Sequence, residues 1–450
     1  MLLLIFGWLG LSGNSLATGS VLAFLVIGLC SLGFLSRSPF HLSVLDGLFF
    51  VILISIVVAG VKYWNFTELK EAALFAVCGI LAYVAGRLTS LEKLAALSRY
   101  ALIASVGVVA LTCAATIPEL YRVWGVAEKR PIVFGFEHAV NLFAMTLGPL
   151  IFGFVYSRAD RKIQSWPLMI LVYLATTLFV ASLVRYTFVV VFVSIGFMMV
   201  VSIGMRDRAR TWRLAMIMAI VLLGISSGLI VRYESVYNFA TAALDEADES
   251  SASLREVAFT KTPELILSSS NSGILKRIVN PASGIPVPEQ LPPSCRGEVS
   301  TYNSVSIRRA LYQDAFYLVP RSGFFGLGLD SFKKLTCVKG HQVHNIYLQG
   351  LIEAGWLGGA ALLALTLFPF LFLPGLIRRT DPAELPPLMF LIATFGFAAL
   401  LGLAHGTLSR ELTFFLTIGA ISGGIARWRN ISPEKATLKL SGPKCETQFP

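Results

Sequence analysis

Long apolar runs separated by short polar breaks set the pattern of this chain. Continuous apolar stretches of about 17–25 residues predict membrane-crossing helices, whereas strict alternation would predict the strands of a barrel. The runs fall at 1–12, 16–35, 43–61, 70–87, 95–117, 133–156, 167–184, 186–205, 213–231, 345–374, 385–406 and 411–427. That makes twelve segments, the first too short for a full span. An even count puts both termini on one side.

A long polar segment, 232–344, separates the ninth run from the tenth. It is rich in Ser, Pro and charge, and its prolines cluster between Asn280 and Gly297. Within it, residues 305–319 place Ile307, Ala310, Leu311, Ala315 and Leu318 at helical spacing. Pro320 and Ser322-Gly323 end that helix, and Gly326-Leu327-Gly328 predicts a tight turn. The expected architecture is an all-α polytopic membrane protein. Nine segments fill 1–231, a loop domain with short helices fills 232–344, three segments fill 345–427, and a tail occupies 428–450.

Composition agrees with the pattern. The 450 residues are 55% hydrophobic and only 14% charged, with mean hydropathy +0.72. No soluble domain of this size has that balance. The N-terminus is apolar from Leu2 without a basic leader, so a cleaved signal peptide is not expected.

The net charge of +11 would suggest nucleic acid, but its distribution reports topology instead. One set of short loops, with the residues after the last run, carries 15 Lys and Arg, and the opposite set carries 7. The richer set holds Arg37, Arg87, Arg158, Arg206 and Arg378 and is predicted to be cytoplasmic, with both termini. The 232–344 segment then faces outward.

Cys30, Cys78 and Cys113 read as core fillers, and Cys445 as a cytoplasmic thiol. Cys295 and Cys337 share the polar segment and are a candidate disulfide if that compartment is oxidising.

Candidate chemistry gathers at the outer face. His341 and His344 flank the start of the tenth run, and no third ligand of suitable spacing accompanies them, so no metal or cofactor is expected. P-loop, nucleophile-elbow and Rossmann patterns are missing. Arg185 occupies a very short outer turn against the charge bias, where the alternative is a snorkelling anchor. Arg308 and Arg309 lie on the external amphipathic helix, and a guanidinium fork suits a phosphate or pyrophosphate. Arg232 reads mainly as an anchor.

His344 can act as a base near neutral pH, and Asn345 follows it. Glu353 falls about 12–14 Å further along a continuous helix at 1.5 Å per residue, within the membrane layer. It reads as a structural support, with Gly355 and Gly358 beyond it. His138 and Glu137, at the outer end of the sixth run, are further cavity candidates with Asn141 one turn in, whereas His41 and His405 read as structural.

These residues resemble a known family. Val343-His344-Asn345-Ile346-Tyr347-Leu348, followed by Glu353-Ala354-Gly355 and Gly358, is similar to the hallmark of the O-antigen ligase and polymerase superfamily. Arg308 through Ala315, then Pro320 and Gly326-Leu327-Gly328, resembles the family's upstream run, with Tyr312 where Trp is common. Arg185 matches the arginine of its Ser-Arg motif, although Val184 stands in place of the Ser.

The resemblance implies an inverting, metal-independent membrane glycosyltransferase of the GT-C kind in a bacterial inner membrane. It would take a glycan from undecaprenyl pyrophosphate at the periplasmic face. A ligase passes it to the lipid A–core oligosaccharide. A polymerase passes it to another carrier-linked repeat, and some relatives glycosylate proteins. In that scheme Arg185, Arg308 and Arg309 bind the pyrophosphate, His344 serves the acceptor hydroxyl, and Asn345, His341 and His138 contact substrate. Glu353, Gly355, Gly326 and Gly328 give support. A lipid-linked glycan transporter remains as an alternative class. It would call for charged, broken helices at midplane and internal repeats, and the sequence shows neither.

Overall fold

The computed structural model describes residues 42–63, 69–89, 91–123, 131–134, 137–156, 166–182, 187–233, 237, 292, 294, 304–338, 341–382, 384–404 and 406–429. The runs 1–12 and 16–35 lie outside them, as do Arg185, Cys30, Cys295, Cys445, His41 and His405.

Helix α1 (Val44–Lys62) opens on a capping box, in which Ser43 and Asp46 each bond the other's backbone N–H. The next run is one continuous rod built from α2 (Leu69–Phe75), a π-helical turn (Ala76–Leu81) and α3 (Ala82–Arg87). There follow α4 (Leu91–Arg122), α5 (Ala139–Tyr156), α6 (Trp166–Ala181), α7 (Thr187–Gly204) and α8 (Arg208–Val231). The external helix is α9 (Ser304–Leu318), continued by a 3₁₀ turn (Val319–Arg321) and the short α10 (Ser331–Leu335). The last group is α11 (Ile346–Glu353), α12 (Gly355–Arg379), α13 (Leu385–Ala404), a 3₁₀ turn (Leu408–Arg410) and α14 (Leu412–Arg429).

Among the described residues, six helices are long and apolar enough to cross a membrane: segments of α1, α4, α5, α8, α12 and α13. Shorter apolar helices cover α6, most of α7 and most of α14. The chain is an all-α, multi-pass membrane protein. Hydroxyls inside these helices return to the carbonyl four residues back, as Ser105, Thr112 and Thr146 do. That lets these three residues stay in an apolar layer without orphaned donors. α5 and α13 are the most enclosed spans. α3 touches α14 backbone to backbone, because a Cβ at Gly86 would collide with Leu416 O.

Two expected runs are corrected. The sixth does not begin as helix at 133. Ile132–Val133 and Glu137–His138 form a two-stranded antiparallel pair (β1 and β2), with Ile132 opposite His138, and helix starts only at Ala139. β-Branched Ile-Val there fits a strand as well as an apolar helix start. The tenth run is not a single helix either. It breaks between α11 and α12, where Gly355 takes φ +73°.

A second apolar core lies apart from the helix layer. Leu311, Ala315 and Leu318 of α9 meet Phe332, Val338, Val343 and Ile352 there, so α9, the 326–338 stretch and α11 form one unit.

Candidate active site

The break after α11 is held from outside the helix. Leu327 N donates to Ile352 O and Gly328 N to Glu353 O, both at 3.0 Å. In return, Trp356 N reaches Gly323 O and Leu357 N reaches Phe324 O at 3.1 Å. Ser322 Oγ donates to Leu351 O at 2.8 Å. These bonds satisfy carbonyls and N–H groups that a helix break would orphan. Gly326 and Gly355 sit with φ +87° and +73°, and a Cβ on either would collide with the backbone of the other segment.

Glu353 is 1% exposed, and neither carboxylate oxygen makes a hydrogen bond of good geometry. The Gln349 side chain and the Asp330 main chain face it. Its main-chain carbonyl holds the glycine loop through Gly328 N. Gln349 in turn accepts from Leu408 N at 3.0 Å, linking α11 to the turn before α14. That turn is tied to α2, because Glu71 accepts from Ser409 Oγ and, at 2.9 Å, from Arg410 Nη2.

His344 has φ +53°, in the left-handed region that few non-glycine residues adopt, and is half-buried. Strain of this kind gathers at functional sites. The segment before it is pinned by Gln342 Nε2, which donates to Asp330 Oδ1 at 2.6 Å. Asn345 is the N-cap of α11, with Oδ1 accepting from Tyr347 N and Leu348 N at 3.0 Å. One face of the residue expected to contact substrate is thus committed to starting the helix. Asn ahead of an apolar helical run is the usual N-cap signal, and it was readable in the sequence.

Beside this turn lies an apolar cavity of about 660 Å³. α7, α9, α11, α12 and α13 line it, with Asn345 among its few polar groups. Leu367 and Phe316 in its wall are largely exposed, so it opens on the flank of the helix layer. α9 contributes Tyr312 and Phe316, and Tyr312 OH lies 3.5 Å from Leu403 O. At about 100° per residue, Arg308 falls within about 40° of Tyr312 around α9, and Arg309 within about 20° of Phe316. Arg308 is half-buried and Arg309 exposed. Both arginines flank the face that covers the cavity, about two turns or less from its aromatic wall.

The other candidates are less closely gathered. His341 is exposed, and its N–H donates to Val338 O at 3.3 Å. His138 is exposed in β2 and does not line this cavity. Arg232 is buried, with Nη1 donating to Val123 O at 3.1 Å, and it joins the ends of α8 and α4. Cys337 is disulfide-bonded. Its N–H donates to Oγ of Ser294, the neighbour of Cys295, at 3.2 Å. Cys78 and Cys113 are free and buried.

Residues 169–363 match the sequence family described as O-antigen ligase. This match supports the O-antigen ligase and polymerase superfamily. The matched stretch runs from α6 into α12 and takes in the cavity-lining residues of α7, α9 and α11, with Leu363 of α12. It supports a ligase- or polymerase-like activity of a glycosyltransferase-like enzyme. No curated protein matches the chain.

One residue that the sequence reading passed over stands out beside the ligase-family motifs. Asp314 of α9 is fully buried and accepts from Ser294 N at 2.9 Å, Ser294 Oγ at 2.5 Å and Thr336 Oγ1 at 2.6 Å. In the sequence it is a lone acid in an amphipathic helix, and such a residue ordinarily faces solvent.

Proposed function

We propose that the protein transfers a glycan from undecaprenyl pyrophosphate to the lipid A–core oligosaccharide at the periplasmic face of a bacterial inner membrane. The observation that carries this reading is the apolar cavity open to the flank of the helix layer, with Arg308 and Arg309 on the helix that supplies its Tyr312 and Phe316 wall. A polyprenyl carrier needs such a surface for part of its tail and cationic donors where its pyrophosphate emerges.

In this reading Arg308 and Arg309, with Arg185, hold the pyrophosphate and offset the negative charge that grows as it leaves. Guanidinium charge is permanent, so a divalent ion is dispensable. His344 accepts the proton of the acceptor hydroxyl or orients it. Attack from the face opposite the pyrophosphate inverts the anomeric carbon. Asn345, capping α11, fixes the backbone from which His344 projects. Support falls to Glu353 O, Gly355, Gly326 and Gly328, and Cys295 is the proposed partner of Cys337.

The test is transfer by the purified full-length protein from an undecaprenyl-pyrophosphate glycan, with EDTA present, to lipid A–core. Single-step attachment to lipid A–core supports the ligase. Growth of a ladder on the carrier would make it a repeat-unit polymerase, and labelling of protein an O-oligosaccharyltransferase. Activity lost in EDTA and restored by one divalent ion would overturn the metal-free mechanism.

A further inference from the structure

Asp314 and the arginines occupy the same helix, six and five residues apart, but different sides of it. Around α9 it stands about 160° from both Tyr312 and Phe316. The cavity face and the Asp314 face are therefore opposed, and whatever fixes Asp314 fixes the rotation of the arginines. A slip of one residue would swing α9 by about 100° and carry Arg308 and Arg309 away from the cavity wall.

The contacts to Asp314 have forced polarity. Ser294 Oγ already accepts from Cys337 N at 3.2 Å, and Thr336 Oγ1 from Val338 N at 3.3 Å. Each hydroxyl is thus placed to donate, and both point their protons at Asp314. Ser294 N adds a third donor. An acceptor-only carboxylate matches three donors, and an amide does not. The groups it joins come from three places: α9, the segment at Ser294, and the stretch after α10 that carries disulfide-bonded Cys337. Apolar packing of Leu311, Ala315 and Leu318 sets the depth of α9. Such packing tolerates rotation better than directed hydrogen bonds do.

We propose that Asp314 is a positioning residue for donor binding: it locks the rotation of α9 so that Arg308 and Arg309 present to the carrier pyrophosphate. This rests on the reading of those arginines given under Proposed function. It adds a residue that never touches substrate, and it makes the Ser294 and Thr336 hydroxyls part of donor recognition.

The experiment measures the Kd of undecaprenyl pyrophosphate itself for the full-length protein in lipid nanodiscs, so that no acceptor is needed. Asp314→Ala and Asp314→Asn are expected to weaken binding about tenfold, and Thr336→Val, which keeps the shape and loses the donor, about threefold. In an Arg308→Ala/Arg309→Ala background the same substitutions are expected to cause no further loss, because the groups they position are gone. A loss that persists in that background shows a general structural role and overturns the proposal. Unchanged binding in Thr336→Val and Asp314→Asn, while the double arginine variant binds weakly, overturns it and leaves the arginine assignment standing. If Asp314→Ala does not fold, Thr336→Val tests the same contact. Wild-type binding by the double arginine variant instead removes the proposed donor site, and this inference with it.

Discussion

Two carboxyl groups, the half-buried Asp46 and the fully buried Glu353, sit near opposite ends of the helix layer and are treated in opposite ways. Asp46, near the start of α1, is saturated. Its oxygens accept from Tyr83 OH at 2.8 Å, Ser422 Oγ at 2.8 Å, Ser43 N at 2.7 Å and Arg87 Nε at 3.0 Å. Glu353, at the end of α11, has no hydrogen bond of good geometry to either oxygen. The first is a staple that ties α1, α3 and α14 through charge and directed bonds. The second lies in a region stitched by main-chain contacts, between a strained His344 and a helix break. At the Asp46 end, the polar groups that hold the helices together are paired. The end that carries His344 combines backbone strain with a carboxyl that lacks well-formed bonds, held by surroundings that leave little room to relax.

The sharpest break of this comparison is a substitution at the strained end. His344→Ala is expected to lower transfer about 10²–10⁴-fold, with the folded protein still extracted in normal yield. The check is the single-turnover rate with carrier-linked glycan. A near-wild-type rate would mean that the strain at φ +53° has no catalytic meaning, and that the two ends differ only in packing.

At the stapled end the expected effect is on stability. Asp46→Ala leaves Arg87, which is 7% exposed, without its counter-charge. Removing one partner of a buried ion pair costs about 3–5 kcal/mol. Thermal unfolding in detergent should show it, while the KM for donor in the surviving fold stays put. A changed donor KM would show that the staple and the site are coupled.

How far this contrast was legible in the sequence differs between its halves. The spans α4, α8 and α13 were readable because an apolar run of sufficient length has few alternatives in lipid. The helical stripe of α9 was readable for the same kind of reason, since Ile307, Leu311 and Leu318 recur at the helical period. The break before Gly355 was not. Glu353-Ala354-Gly355-Trp356 continues a helical pattern, and a glycine in it is tolerated as often as it ends the helix. Only the 323–328 loop, bonding Ile352 O and Glu353 O, makes the break favourable, and that is a contact distant in sequence. Asp314 was hidden likewise, because its donors Ser294 and Thr336 lie about twenty residues away on either side. The strand pair Ile132–Val133 and Glu137–His138 was lost inside an apolar run, where β-branched residues do not distinguish strand from helix.

The glycine stitch gives a smaller effect that sharpens the same contrast. Gly355→Ala would force an alanine into the left-handed region and press its Cβ on Phe324 O and Gly326 N. A cost of about 1–3 kcal/mol is expected. Amide hydrogen exchange should locate it in α11 and the 323–328 loop, with α1 and α3 unaffected. Protection lost equally at Asp46 would mean that the two ends unfold as one.

The smallest expected effect is the most discriminating. Glu353→Gln keeps the side-chain shape and exchanges an enclosed carboxyl that lacks well-formed bonds for a neutral amide, so no ion pair is lost. Stability is expected to stay within about 1 kcal/mol of the parent. Asp46→Asn, the same chemical change at the other end, must undo a bond to Arg87 and turn an acceptor into a donor facing Tyr83 and Ser422. It should cost about 1.5–3 kcal/mol. Unfolding midpoints of the two variants, measured side by side, decide the matter. Equal losses would show that Glu353 has a compensating partner and is a second staple. A clear gap would show that the α11–α12 break is held by Glu353 O and the glycine loop, leaving the Glu353 carboxyl free of a holding role.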